Sequence, residues 1–237
     1  MNNHDLIFIL RPILDKAKQL IKSKEITMPI VSIAGGPGAG KSYFAQQLQA
    51  LLQHDGFNTV IIAQDNFSHH DGNAADVMPH INPHLKWKLV HEALQQVCTK
   101  KTAVILPFRI RNPFAYAPQT VLPYTIEYRT IDMTHVDLVI FEGAHALSGK
   151  DTYDFFAYSS LGIFIEVSDD HMRLWRLERE KAKPPMLQRP QDIFDQHLAK
   201  GMEIYRTYVA PTKKNAAFVV HKQDKDCYSL SEYCGDH

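Results

Sequence analysis

The sequence predicts an α/β protein: a parallel sheet of about five core strands with helices on both faces, a small β-rich flap and a lid. Three observations carry this. Short apolar runs of strand length alternate with stretches of helical spacing. The first run, Ile30 to Ala34, feeds a glycine-rich turn that passes straight into a helical pattern. One segment, Ala103 to Asp132, breaks the alternation and reads as strand-like pieces instead.

The elements follow in order. Asp5 to Lys24 carries Leu6, Ile9, Leu10, Ile13, Leu14, Ala17, Leu20 and Ile21 at helical spacing with basic residues between them, so residues 1–28 form an N-terminal amphipathic helix. Packing against the domain is the ordinary use of such a face; a membrane-lying helix is the alternative. Ile30 to Ala34 is too apolar for a surface loop and reads as a buried strand. Lys41 to His54 is a helix with Ala45, Leu48, Leu51 and Leu52 turned inward, ended by Gly56. Asn58 to Ala63 is a second buried strand, delivering Gln64, Asp65, Asn66 and Phe67 at its carboxyl end, the edge where open α/β sheets hold ligands. Ser68 to His84 reads as a loop over that edge, and Leu85 to Lys100 as a helix. AVILPF, TVLP and YTIEYRTI, around NPFAYAP, make the flap of about 103–132. Asp137 to Phe141 is a third core strand ending at Glu142, and Leu161 to Val167 a fourth. Ser168 or Asp169 can cap the helix that carries Arg173, Arg176 and Arg179. Lys181 to Pro190 holds three prolines and no periodicity, as a lid would. Gln191 to Tyr208 is helical and Ala216 to His221 is a fifth strand. No pattern follows Lys222, so the main domain is expected over 29–222 with 223–237 a loosely ordered tail.

The composition narrows the class. With 45% hydrophobic and 22% charged residues, the 237-residue chain has the balance of a globular protein rather than a disordered one. A formal net charge of +0 gives no electrostatic reason to expect a nucleic-acid or membrane-surface partner. Three cysteines, Cys98, Cys227 and Cys234, do not make a disulfide framework and fit a reducing, cytoplasmic location. A clip between Cys227 and Cys234 is the alternative. The opening apolar run of five residues, broken by Arg11 and Pro12, is too short for a signal peptide or a spanning helix. A homodimer is left open.

Gly35-Gly36-Pro37-Gly38-Ala39-Gly40-Lys41-Ser42, followed by Tyr43, satisfies G-x-x-x-x-G-K-[ST] between a predicted strand and a predicted helix, the signature of the P-loop NTPase type. The glycines let successive amides turn toward one phosphate, and the helix adds unpaired N–H groups and the positive end of its dipole. Lys41 is expected to reach the β- and γ-phosphates and the Ser42 hydroxyl to hold Mg²⁺. A guanine-reading switch is not expected, since no asparagine is followed by lysine and D-x-x-G is missing.

A kinase acting on a small alcohol needs a carboxylate to accept the hydroxyl proton, an acidic partner for Mg²⁺ and cations for the transferring charge. Asp65, at the tip of the second strand, suits the first role and Glu142, at the tip of the third, suits the metal or its waters. The reverse assignment stays open, as does Asp65 as a simple turn cap. Arg176 and Arg179 share a helix face and can close onto phosphates, or pair with Glu178 and Glu180 instead. His69-His70-Asp71 is a weak metal motif with no second pair. Trp87, Trp175 and Cys98 read as core residues.

These pieces together resemble the uridine kinase/phosphoribulokinase group of P-loop kinases over about residues 28–220. The phosphate loop, QDNF at Gln64 to Phe67, VIFEGAHAL at Val139 to Leu147, WRLERE at Trp175 to Glu180 and YVAPTKKNA at Tyr208 to Ala216 stand in the order of that group. The resemblance implies transfer of the ATP γ-phosphate to a hydroxyl of a small metabolite (sugar, sugar phosphate, vitamin or nucleoside). It implies Asp65 as base, Glu142 in the Mg²⁺ site, Arg176 and Arg179 at the phosphates, Arg189 as a third closing cation and Lys213 near the adenine. Three departures bear on the acceptor: Ser68 replaces a tyrosine, Asn82 to Trp87 lacks carboxylates, and Met202 stands where an arginine is usual. A site built to hydrogen-bond a nucleoside binds it several kcal/mol less well without such partners. Arg109, Arg111 and Asn112, with His69 and His70, suggest a polar or anionic acceptor such as a sugar phosphate or an acidic vitamin; a solvated flap is the alternative. A nucleotide-binding regulator that has lost the acceptor pocket is the rival reading.

Overall fold

The computed structural model describes residues 4–68, 85–99, 102–111, 124–149, 154–183, 188–224 and 227–232. Six strands form the main sheet. In chain order they are β1 (Ile30–Gly35), β2 (Thr59–Ala63), β5 (Leu138–Glu142), β6 (Leu161–Val167), β7 (Phe218–Lys222) and β8 (Tyr228–Glu232), and in space they run β2-β5-β1-β6-β7-β8. All neighbours are parallel except β7 and β8. Every residue of β1 and of β5 is buried, which requires cover on both faces and explains why these strands are apolar without alternation.

The remaining pair, β3 (Ala103–Arg111) and β4 (Tyr124–Asp132), is a separate antiparallel hairpin with Ala103 opposite Asp132 and Arg111 opposite Tyr124. Val104 and Leu106 turn into the core while Ile105 and Tyr128 face solvent, the period-two pattern of a half-covered ribbon. The flap expected from the sequence is this hairpin.

Five α-helices complete the frame: α1 (His4–Ser23), α2 (Lys41–His54), α3 (Trp87–Cys98), α4 (Asp169–Lys181) and α5 (Gln191–Ile204). In α1, Leu6, Ile9, Leu10, Ile13, Leu14 and Ala17 are buried, and the helix lies against α2 and β8. At roughly 2 kcal/mol for each large aliphatic side chain, that burial is ample reason for the helix to dock; Ile7 and Phe8 of the same helix stay exposed. Among the described residues no helix is long and apolar enough to cross a membrane. Ser168 caps α4, its hydroxyl accepting from the His171 amide. After α5 the chain widens into a π turn, Tyr205–Val209, and then tightens through a 3₁₀ segment, Ala210–Asn215, before entering β7.

One expectation needs correcting. The sheet has six strands, because Tyr228–Glu232 pairs antiparallel with β7 where no element was expected. Its residues are mostly polar, and an edge strand wetted on one side carries too little apolar content to be read as one. The helix α4 ends at Lys181, the residue at which the expected lid segment starts. The pairing of Cys227 with Cys234, and the cluster His69-His70-Asp71, lie outside the described residues because Cys234, His69, His70 and Asp71 do; so do Asn112 and the segment Asn82 to His84.

Candidate active site

The placement of β5 between β1 and β2 decides the site. Glu142, the last residue of β5, is in register with Ile33 on one side and Ala63 on the other. Two residues beyond each of those partners stand Gly35, where the phosphate loop begins, and Asp65. The loop and both candidate carboxylates therefore share one corner at the carboxyl edge of the sheet.

Inside the loop, Gly40 precedes α2 with φ near +92°, a left-handed conformation that a side chain would strain, and it aims the first amides of α2 at the cradle. The Lys41 ammonium donates to the carbonyls of Gly35 and Gly36 at 3.1 and 2.9 Å, folding back over the mouth of the loop. Burial lowers its pKa and nearby Arg176 adds to that, while Glu142 and Asp65 push the other way. The Ser42 hydroxyl donates to Glu142 Oε1 at 2.8 Å. Burial raises the Glu142 pKa; the Ser42 hydrogen bond and Lys41 oppose this, and Asp65 reinforces it. Asp65 itself is exposed, yet its charge is felt by both Lys41 and Glu142.

Gln64 locks the two strand tips together. Its side chain is 2% exposed, packs against Gly143 and accepts from the His145 amide at 3.0 Å. A Cβ on Gly143 would fall within 2.8 Å of the Gln64 Cδ, so that glycine is needed for close approach. His145 packs on Trp87 with ring centroids 4.9 Å apart, and burial, with a smaller push from Lys41, holds its pKa down at about 4. The imidazole is neutral at ordinary pH.

The cations come from the other side. Arg176 Cγ stands 3.4 Å from where a Cβ on Gly38 would be, which puts this side chain across the phosphate loop. Burial, then Arg189 and Arg179, lower its pKa, so the three guanidiniums form one cationic field. Arg179 is exposed. Glu180, 8% exposed, organises the base of the lid: one oxygen accepts from the Arg189 amide at 2.8 Å and the other pairs with Lys183, with Arg189 at 3.8 Å. Glu180 thus pairs with the lid rather than with Arg176 or Arg179. Arg109 ties the hairpin to the β2 tip, donating to the Asp65 carbonyl at 3.3 Å, while its amide donates to Asn66 Oδ1 at 3.3 Å. Arg111 is described only in its backbone, opposite Tyr124 at the far end of the hairpin. Lys213 pairs with Glu166 at 2.6 Å, and Asn215 Nδ2 donates to the Leu147 carbonyl at 2.9 Å. Tyr43 is exposed on the first turn of α2. Met202 is 1% exposed, a core residue where an acceptor-binding arginine was looked for.

Ser42 and Glu142 offer two hard oxygens in contact, beside the further carboxylate of Asp65, a donor set that suits Mg²⁺. Among the described residues no group of three His, Cys, Asp or Glu could hold a metal by itself. A cavity of about 320 Å³, lined in part by Thr59, Asp132 and His135, lies at the other end of β2 and takes no part in this corner. Sequence reasoning missed Gln64, His145 and Glu180 as organisers, and it missed Lys222, a basic residue at the carboxyl end of β7 and so at the ligand edge.

Comparison with known proteins bears on the fold and the family. Residues 111–227 match the model of the phosphoribulokinase/uridine kinase family, and residues 28–106, which hold the phosphate loop, match that of the chromatin associated protein KTI12. A uridine kinase of Lactobacillus johnsonii is 27% identical over 196 residues, covering 81% of this chain and 85% of that one. Among solved structures, D-glycerate 3-kinase from Cryptococcus neoformans superposes with a TM-score of 0.70 at 12% identity, over 94% of this chain and 99% of that one. Phosphoribulokinase from Rhodobacter spheroides superposes with a TM-score of 0.61 at 14% identity, over 82% and 70%. Fold and site define a P-loop kinase, a phosphotransferase with an alcohol group as acceptor. The family resemblance is to the phosphoribulokinase/uridine kinase group, carried by residues 111–227 and by the uridine kinase relatives.

Proposed function

We propose that this protein transfers the γ-phosphoryl group of ATP to a hydroxyl of a small polar or anionic metabolite. The observation that supports it best is the corner where Lys41, Ser42, Glu142 and Asp65 meet at the ends of three adjacent strands. In this reading the loop amides and Lys41 hold the β- and γ-phosphates. Asp65 takes the proton of the acceptor hydroxyl as its oxygen bonds to the γ-phosphorus, and the bond from that phosphorus to the bridging oxygen breaks, releasing ADP. Ser42 and Glu142 would hold Mg²⁺, which when bound neutralises charge on the phosphate oxygens. Arg176, Arg179 and Arg189 come down on the γ-phosphate as the lid closes and water is excluded.

The acceptor enters between the Asp65 tip and the β3–β4 hairpin, near Arg109. The named relatives act on different alcohols, a nucleoside in one case and D-glycerate in another. The buried Met202 and the Arg109 side favour an acid or phosphate group on the acceptor over a nucleobase. A panel of hydroxy acids, sugar phosphates, acidic vitamins, sugars and nucleosides, scored for acceptor-dependent ADP release, tests this. Activity is expected with an anionic acceptor, and Asp65→Asn should lower kcat by about a hundred-fold with ATP still bound. Tight ATP binding with no acceptor-dependent turnover across the panel would replace the kinase with a nucleotide-binding regulator.

A further inference from the structure

The last two residues of β7 send their side chains to opposite faces of the sheet. His221 Nδ1 meets Glu166 Oε2 at 2.8 Å and its Nε2 meets Ser231 Oγ at 2.8 Å, while Glu166 Oε1 accepts from Lys213. Lys222 goes the other way. Its ammonium sits 4.5 Å from the ring centroid of Trp175 on α4 and 5.4 Å from that of Tyr228, its cross-strand partner on β8. The same Nζ is 3.4 Å from where a Cβ on Gly40 would be. A positive charge is thus held at the α2 end of the phosphate loop, while Lys41 occupies the β1 end.

Packing on two rings repays an ammonium only modestly for the hydration it gives up. The rings do something more specific: their negative faces supply what a phosphate would supply, and they hold the charge at the rim of an anion cradle. We propose that Lys222 is a further nucleotide-binding residue, its ammonium engaging the phosphate chain from the β7 side, with Trp175 and Tyr228 presenting it. The C-terminal hairpin of β7 and β8 is then part of the nucleotide site. The inference rests on the nucleotide reading above.

The chain has two tryptophans, and only Trp175 lies beside this charge; Trp87 is fully buried against Phe155. Titrating the full chain with ATP and with ADP, followed by tryptophan fluorescence and by calorimetry, reads binding without any acceptor. Nucleotide is expected to change the Trp175 emission, and Trp175→Phe to abolish that change. Lys222→Met should weaken both nucleotides about tenfold, the scale of one charge-assisted hydrogen bond, and make binding less sensitive to salt. Lys222→Arg should keep affinity within about threefold, as a preserved charge requires. If Lys222→Met binds both nucleotides as the unaltered chain does while Lys41→Ala does not, the assignment is overturned and the nucleotide reading stands. Equal losses in Lys222→Met and Lys222→Arg also overturn it, since shape rather than charge would then matter. An unaltered chain that binds neither nucleotide overturns both.

Discussion

The two banks of the phosphate loop are held by different physics. On the β2–β5 bank, Asp65 and Glu142 ride on strand ends fixed by backbone register, and the buried Gln64 ties the tips through Gly143 and the His145 amide. On the α4 bank, Arg176 and Arg179 are long side chains on a helix, and Arg189 stands on the lid, where the buried Glu180 steadies it. The first bank arrives organised and loses little freedom when substrate binds. The second keeps its charges on side chains that can move, as a closing lid needs. In the proposed reaction, proton acceptance falls to the stiff side and charge neutralisation to the mobile one.

The comparison breaks first at Lys41, which belongs to neither bank and serves both. Lys41→Ala should cost several kcal/mol of transition-state stabilisation, roughly a hundred- to thousand-fold in kcat/KM. Steady-state kinetics with an accepted alcohol checks it, and an undiminished rate would sink the phosphate-loop assignment.

The stiffness of the first bank can be read from pH. His145 is held at about 4 in the folded chain against about 6.5 when exposed, so the unfolded state binds the extra proton between those values. Its contribution is complete above about 6.5 and is lost as pH falls toward 4, on the order of 3 kcal/mol in all. Denaturant unfolding at several pH values should show that loss, and His145→Phe should flatten it. Equal slopes for the two chains would mean the imidazole is not buried as described. Glu142, with its raised pKa, contributes in the opposite sense: its protonation favours the folded state as pH falls, which the variant retains.

A smaller effect sharpens the same point. Gly143→Ala forces a methyl into the Gln64 side chain and should destabilise by about 1–3 kcal/mol, read as a lowered Tm. Adding Gln64→Gly, which removes the Gln64 Cβ that the new methyl would meet as well as the amide beyond it, should recover part of that loss, although the His145 amide then lacks its acceptor. Simple additivity of the two changes would show that the tips are not coupled through this contact.

Much of this molecule is legible in its residues. The eight apolar positions read as one face of an N-terminal helix are buried or packed on the core in α1, and five strands begin and end within two residues of the apolar runs that mark them. Those features depend on local period and composition. The phosphate loop and the two acids at strand tips were readable for the same reason, since strand ends are local. The order of the strands was not, because nothing in β2 or β5 says which will sit beside β1. The Gln64 link and the position of Lys222 depend on that order, so both lay beyond pattern. β8 was hidden by its polarity, and the role of Glu180 by its neighbours, which offer two arginines of the same helix as nearer partners by spacing than the lid groups it meets.

The strand order has a consequence for how the chain is made. β1 and β2 are synthesised early, but the strand that joins them, β5, starts only at Leu138. Until the ribosome passes that point the emerging chain carries raw edges on both sides of a gap, with α3 and the hairpin still to find their place. A fragment ending before Leu138 has no way to close the gap, so this protein should resist division into halves and depend on helpers while it is being born.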